Sequence, residues 1–222
     1  HGEINGVDFW SESDKAGTTV HEEFIEVKSG REHGMIKSRN KLVDRAGKVI
    51  ATDQRIIRVY NTAPHRMMDF EVTIFASHGD LVFGDTKEGT MAIRLAPTMR
   101  LKGKVGQGHI ENSEGVKDGE PWGKRAKWCD YYGPVNDKMV GVAIFDAPRN
   151  PRHPTWWHVR DYGLFAANPF GQHDFEKKEK GVGDLRVKSG DSVSFRYRFY
   201  FHEGTTAEAD IEARYQEYAA CK

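Results

Sequence analysis

The chain has 222 residues, and its 33 lysines and arginines are balanced by 33 aspartates and glutamates, giving a formal net charge of zero. That balance excludes a general nucleic-acid binder, whose affinity rests on surplus cations facing phosphates. With 38% hydrophobic and 11% aromatic residues the chain can build a real core. No apolar run of about 20 residues is present to cross a bilayer, so membrane insertion is not expected.

Period-two alternation predicts strands at residues 24–28, 41–43 and 48–60, the last two joined as a hairpin by Asp44-Arg45-Ala46-Gly47. Further strands are predicted at 68–76, 90–95, 139–145 and 156–162. Residues 103–123 and 168–183 have the composition of long loops, where sites tend to lie. A short strand at 185–188 leads through Lys188-Ser189-Gly190-Asp191, which reads as a hairpin turn, into the clearest strand, 192–202. There Val193, Phe195, Tyr197, Phe199 and Phe201 share one face, and Ser194, Arg196, Arg198 and Tyr200 the other.

The C-terminal part breaks this pattern. Thr205-x-x-Glu208 has the form of a capping box, and Ala207, Ile211, Tyr215 and Tyr218 recur at helical spacing. A helix packed on the sheets is expected, with a partner-binding helix as the alternative. About ten strands with short Gly/Asp-rich turns predict an all-β fold. The expected form is a large antiparallel β-sandwich with one C-terminal α-helix, in one domain over residues 1–222. Cys129 and Cys221 are the only cysteines and read as two ordinary thiols, a single bridge being the alternative.

Two segments concentrate groups able to do chemistry. In the first, 122–132, an extended chain points Lys124, Trp128, Asp130 and Tyr132 one way and Arg125, Lys127, Cys129 and Tyr131 the other. Cations around a tryptophan and an aspartate suit an anionic sugar, with the indole stacking on ring C–H groups. An edge strand with exposed cations and a core Trp128 accounts for the same pattern. In the second, 150–162, Trp156, His158, Arg160 and Tyr162 align on one strand face. An imidazole exchanges protons near neutral pH and a guanidinium grips a carboxylate through two bonds. Against this stands a core face with His158 hydrogen-bonded inside, though a guanidinium such as Arg160 is rarely buried unpaired. His153, on a predicted loop, is a second candidate, and Lys87 and Glu88, in the turn Gly84-Asp-Thr-Lys-Glu-Gly89, could form an acid/base pair. The ten histidines show no His-Glu-x-x-His and no Cys/His cluster, so neither a metal nor another cofactor is expected.

Several of these runs carry a resemblance. His1-Gly-Glu-Ile-Asn-Gly-Val-Asp-Phe-Trp10, Gly84 to Gly89, Asn112-Ser-Glu-Gly115, the Trp122 segment and His153 to Gly171 resemble a bacterial family of unknown function that is labelled PmoA. The label's association with methane oxidation does not fit, because the methane enzyme subunit of that name is a helical membrane protein. The resemblance implies a secreted or periplasmic protein of polysaccharide-degrading bacteria and a sandwich similar to that of galactose mutarotase-like enzymes. It also implies a histidine-rich segment ahead of His1. A carbohydrate-active enzyme using acid/base chemistry on a sugar or uronic-acid oligosaccharide is therefore expected, by hydrolysis, elimination or epimerisation. His158, Asp130, Glu88 and His153 are the acid/base candidates, and Lys87, Lys124, Arg125, Trp128, Trp156, Arg160 and Tyr162 the substrate-binding ones. A non-catalytic glycan-binding sandwich is the alternative.

Overall fold

In the computed structural model, which describes residues 2–220, β1 (Glu3–Ile4) and β2 (Val7–Asp8) form a small hairpin. A long meander follows: β3 (Thr18–Lys28), β4 (His33–Val43), β5 (Val49–Tyr60) and β6 (Arg66–Phe75). Short strands β7 (Leu81–Phe83), β8 (Met91–Arg94) and β9 (His109–Asn112) lead to the hairpin of β10 (Trp128–Val135) and β11 (Lys138–Asp146). A second hairpin joins β12 (Trp156–Val159) to β13 (Leu164–Asn168), and then come α1 (Gln172–Glu176), β14 (Leu185–Val187), β15 (Ser192–Glu203) and α2 (Ile211–Ala220).

Eight strands make one antiparallel sheet in the order β3-β4-β5-β6-β15-β11-β10-β9. Two smaller sheets, β14-β7-β1-β2 and β12-β13-β8, pack against it. The main core lies between the layers: Val72, Ile74, Phe195, Tyr197 and Phe199 from the large sheet meet Ile4, Phe83, Trp157 and Phe165 from the small ones. Tyr197 and Thr90 share a buried hydroxyl–hydroxyl hydrogen bond of 2.7 Å across this core. The protein is thus an all-β, antiparallel, sandwich-like fold with a short C-terminal helix. A second, smaller core forms on the outer face of the large sheet, where Ile211 and Tyr215 of α2 cover Trp128, Phe145 and Tyr200.

Several elements differ from the sequence expectation. The 41–43 strand is the end of the longer β4, and 24–28 the end of the eleven-residue β3. The Asp44–Gly47 turn does close a hairpin, with Gly47 at φ +82°. Lys188–Asp191 closes a turn, but β14 pairs with β7 while β15 pairs with β6 and β11, so it carries the chain between layers. The 156–162 strand stops at Val159 and turns back through Gly163 (φ +87°) into β13, which alternation did not reveal because both its faces are buried. The two predicted loops contain β9 and α1. Thr205 and Glu208 do exchange capping-box bonds, at 2.8 and 3.3 Å, but Asp210 adopts φ +50° and α2 begins only at Ile211. Ala209 consequently takes the buried place expected of Ala207. Cys129 is a buried free thiol, and Cys221 lies outside the described residues.

Under this outer core, His202 of β15 and Asp130 of β10 form a fully buried pair, Nε2 to Oδ1 at 3.0 Å. Thr206 donates to the other carboxylate oxygen at 2.7 Å. Burial works to lower the His202 pKa, but the hydrogen bond and charge of Asp130 outweigh it and raise the value above 6.5. Removing one partner strands a charge in the interior, at a cost of about 3–5 kcal/mol. Asp130→Ala should therefore lower the stability of the fold by roughly that amount in urea denaturation. Because the native pKa of His202 is raised, its contribution is complete below pH 6.5 and is lost as the pH climbs through the native value. An unchanged unfolding midpoint for Asp130→Ala at pH 6 would refute this account.

Candidate functional site

The side of the three-stranded sheet that faces away from the core carries the densest group of unusual side chains. Strand β12 alternates: Trp157 and Val159 enter the main core, which turns His158 outward. In register beside His158 are Ala166 on β13 and then Ala92 on β8. Two methyl groups flank the imidazole along the sheet, and aromatic rings from two loops and from α1 enclose it. The centroids of Trp10, Trp122 and Phe175 lie 6.5, 6.3 and 6.4 Å from that of His158. Trp122 and Phe175 also meet each other edge-on at 5.2 Å.

Cations surround this aromatic nest. The Arg160 guanidinium stands 5.5 Å from the Trp122 ring and 5.6 Å from the Tyr162 ring, and the Arg94 guanidinium is 5.5 Å from the same Tyr162 ring. His158 is only 2% exposed, and among the described residues its Nδ1 has no hydrogen-bond partner. Burial, reinforced by the positive fields of Arg160, Lys87 and Arg94, pushes its pKa down to about 4, so the ring is neutral at physiological pH. An unpartnered buried nitrogen costs the fold about 1–3 kcal/mol, and such a cost in a native structure marks a strained or functional group. The Trp122 Nε1 is buried and, among the described residues, has no hydrogen-bond partner either.

Trp10 connects His158 to the turn between β7 and β8. It lines a hollow of about 450 Å³ together with Asp8, Ser11, Lys87, Glu88 and Asp174. Lys87 Nζ is 3.7 Å from Glu88 Oε1. Burial raises the Glu88 pKa above 4.5; Lys87 opposes this, while the carboxylates of Asp8 and Asp174 add to it. The turn is pressed against the sheet at Gly89, where a Cβ would fall 2.1 Å from the Ala167 carbonyl oxygen. Asp85, buried in the same turn, accepts backbone N–H bonds from His173, Gly181 and Gly183 at 3.0, 3.2 and 2.9 Å. Asn168 donates to the Thr86 carbonyl at 2.9 Å. These bonds fix the loop that holds Phe175 over His158.

The structure thus brings His158, Arg160, Tyr162, Lys87 and Glu88 to one region and sends the other candidates elsewhere. Trp156, expected as a stacking platform, is 4% exposed; its Nε1 donates to Glu176 at 2.9 Å and Arg125 covers its ring at 4.5 Å. Arg125 itself is committed to the carbonyls of Pro154 and Arg152. Trp128 is sealed under α2 with Nε1 bonded to Glu212, and Asp130 is bound to His202, so neither accompanies His158. Lys124 lies exposed before β10 rather than on a strand face with Trp128. His153 bonds Asp146 at 2.8 Å through Nδ1 and meets the Tyr215 hydroxyl at 3.4 Å, which anchors the loop before β12 to α2. Sequence reasoning missed Trp10, Trp122, Phe175 and Arg94 as site residues. The signal for Trp122 and Phe175 was their place in or beside the two long loops. Among the described residues, no group of three or more His, Cys, Asp or Glu side chains could hold a metal ion, and no helix is long and apolar enough to cross a membrane.

Residues 1–216 match the model of a family described as a family of unknown function, DUF6807. A comparison with curated proteins finds no match to the chain.

The depressed pKa of His158 has a consequence for stability. Between pH 6.5 and about 4 the unfolded chain binds the proton that the native ring refuses, so this group's contribution is present above 6.5 and lost as the pH falls toward 4. His158→Gln, which cannot titrate, should flatten the acid limb of the stability profile relative to the parent by up to about 3 kcal/mol. Equal pH slopes in the two proteins, measured by denaturant titration, would contradict a buried neutral His158.

Proposed function

We propose that the protein, which belongs to the DUF6807 family of unknown function, acts on a sugar acid or uronic-acid oligosaccharide by proton transfer at His158. The observation that carries this reading is a neutral, buried imidazole whose Nδ1 has no hydrogen-bond partner among the described residues, enclosed by indole and phenyl rings, with Arg160 and Arg94 nearby and Lys87 beside Glu88. Aromatic faces favour the C–H flanks of a pyranose, and Arg160 and Lys87 suit its carboxylate. His158 would accept the proton, and Glu88, whose carboxyl holds its own proton to higher pH than usual, would return one. The enclosed arrangement favours catalysis over simple glycan binding, because the two tryptophans that would have formed an open strip, Trp128 and Trp156, are covered. The resemblance to the PmoA-labelled bacterial family supports a role in polysaccharide degradation and a secreted or periplasmic location.

The electrostatics predict how the ligand and the proton are coupled. An anion between Arg160 and Lys87 offsets the fields that depress His158, so its pKa rises on binding. Binding of a uronate below pH 6.5 should therefore take up protons, which calorimetry in buffers of different ionisation enthalpy detects directly. In a screen of uronic-acid oligosaccharides followed by mass spectrometry, His158→Ala should lower turnover by about 10²–10⁴-fold, and Glu88→Gln should also impair it. Loss of water from the product would indicate dehydration, and fragments that have gained water hydrolysis. Turnover left intact by His158→Ala would end this assignment.

A further inference from the structure

On the opposite side of the sandwich, the outer face of the large sheet carries a second group of charges that the His158 site does not use. Arg58 of β5, Asp69 of β6 and Arg198 of β15 stand in direct cross-strand register, and Glu71 faces Arg196 two residues away. Together with the 147–149 segment and the last turn of α2, they line a cleft of about 560 Å³, within the size range of small-molecule sites. Arg198 grips Asp69 through two bonds, Nε to Oδ1 at 2.6 Å and Nη2 to Oδ2 at 2.8 Å, and Tyr60 donates to the same carboxylate at 2.7 Å. Its guanidinium is held between aromatic faces, 5.2 Å from the Tyr60 ring and 4.7 Å from that of Tyr218. Glu71 serves two arginines, Arg196 at 3.2 Å and Arg58 at 3.9 Å.

The charges do not balance. Arg58, Arg149, Arg196 and Arg198 face only Asp69 and Glu71, and Arg149 is exposed with no carboxylate in ion-pair range among the described residues. Nor is Arg149 on a loose loop. The adjacent Asn150 donates to Asp146 Oδ1 and to the Arg196 carbonyl, each at 2.7 Å, and accepts from the Arg196 backbone N–H at 2.8 Å. Asp146 is itself fixed by His153 and the Thr155 N–H. A surplus of two positive charges is therefore presented from a rigid frame, beside the half-buried Tyr218.

We propose that this cleft is a second binding site, for a small organic anion carrying at least two negative charges, with carboxylates or phosphates bridging Arg149 and Arg58 and the apolar flank of the ligand on Tyr218. The site is independent of the chemistry assigned to His158. Calorimetric titration of the intact protein with citrate, pyrophosphate and the monoanion glucuronate tests it. Citrate or pyrophosphate should saturate a site whose affinity falls steeply with salt, and whichever of the two binds tighter distinguishes carboxylate from phosphate preference. Arg149→Ala and Arg58→Ala should each weaken that binding by about tenfold, with His158→Gln leaving it unchanged. Among the described residues Arg149 makes no ion pair or side-chain hydrogen bond, so its substitution tests binding without threatening folding. Absence of saturable binding by either polyanion, binding indifferent to both arginine substitutions, or binding abolished by His158→Gln would overturn the proposal. The last result would place the anion at the other site and leave the His158 reading standing.

Discussion

Strand β15 imposes one constraint from which both faces of the molecule follow. Its side chains alternate strictly, so Phe195, Tyr197 and Phe199 enter the space between the layers while Arg196, Arg198, Tyr200 and His202 point outward. Because the side-chain period is two, a slip of one residue would drive guanidiniums into the core and rings into water. The pairing register is thereby locked on both sides, to β6 through ten residue pairs and to β11 through seven. The Tyr197–Thr90 hydroxyl contact then sets where the three-stranded sheet lies over it. His158 is carried by that small sheet, and the arginine cleft by the outer face of β15 itself.

The two polar regions solve the problem of low dielectric in opposite ways. Asp130 is bonded to the buried His202, and the half-buried Asp69 to Arg198, so each carboxylate has a basic partner. Around His158 the neighbours are cations and aromatic rings, and the imidazole escapes the conflict by remaining neutral. The first arrangement favours a fixed structure. The second leaves a neutral ring in the positive fields of Arg160, Lys87 and Arg94.

Much of the fold was legible from alternation, because long half-buried strands such as β5, β6 and β15 must separate apolar from polar residues. Strands buried on both faces, notably β13, leave no such trace. Nor does alternation say what a face will meet: the Lys188–Asp191 turn looks the same whether it closes a hairpin or crosses between layers. The same limit governed the site. Trp128 and Trp156 had local patterns as promising as that of His158, yet α2 seals one and Arg125 covers the other, contacts made by residues far away in sequence for Trp128 and 31 positions away for Trp156. His158 and Arg160 were readable because they share one short strand and its turn. Trp10, Trp122 and Phe175 were not, since two separate loops and the short helix α1 bring them together.

The register shifts in β3 have a bearing on how the molecule tolerates its neighbours. This strand ends the large sheet with Phe24 and Val27 62% and 65% exposed, an arrangement that invites a second chain to extend the ladder. Irregularities between His21 and Glu23 and between Phe24 and Glu26 break the even spacing that such a chain would need. Glu22 and Glu23, paired to Lys41 and Arg39, add carboxylates along the same border. Backbone geometry and charge therefore keep an apolar sheet margin from serving as a template for aggregation.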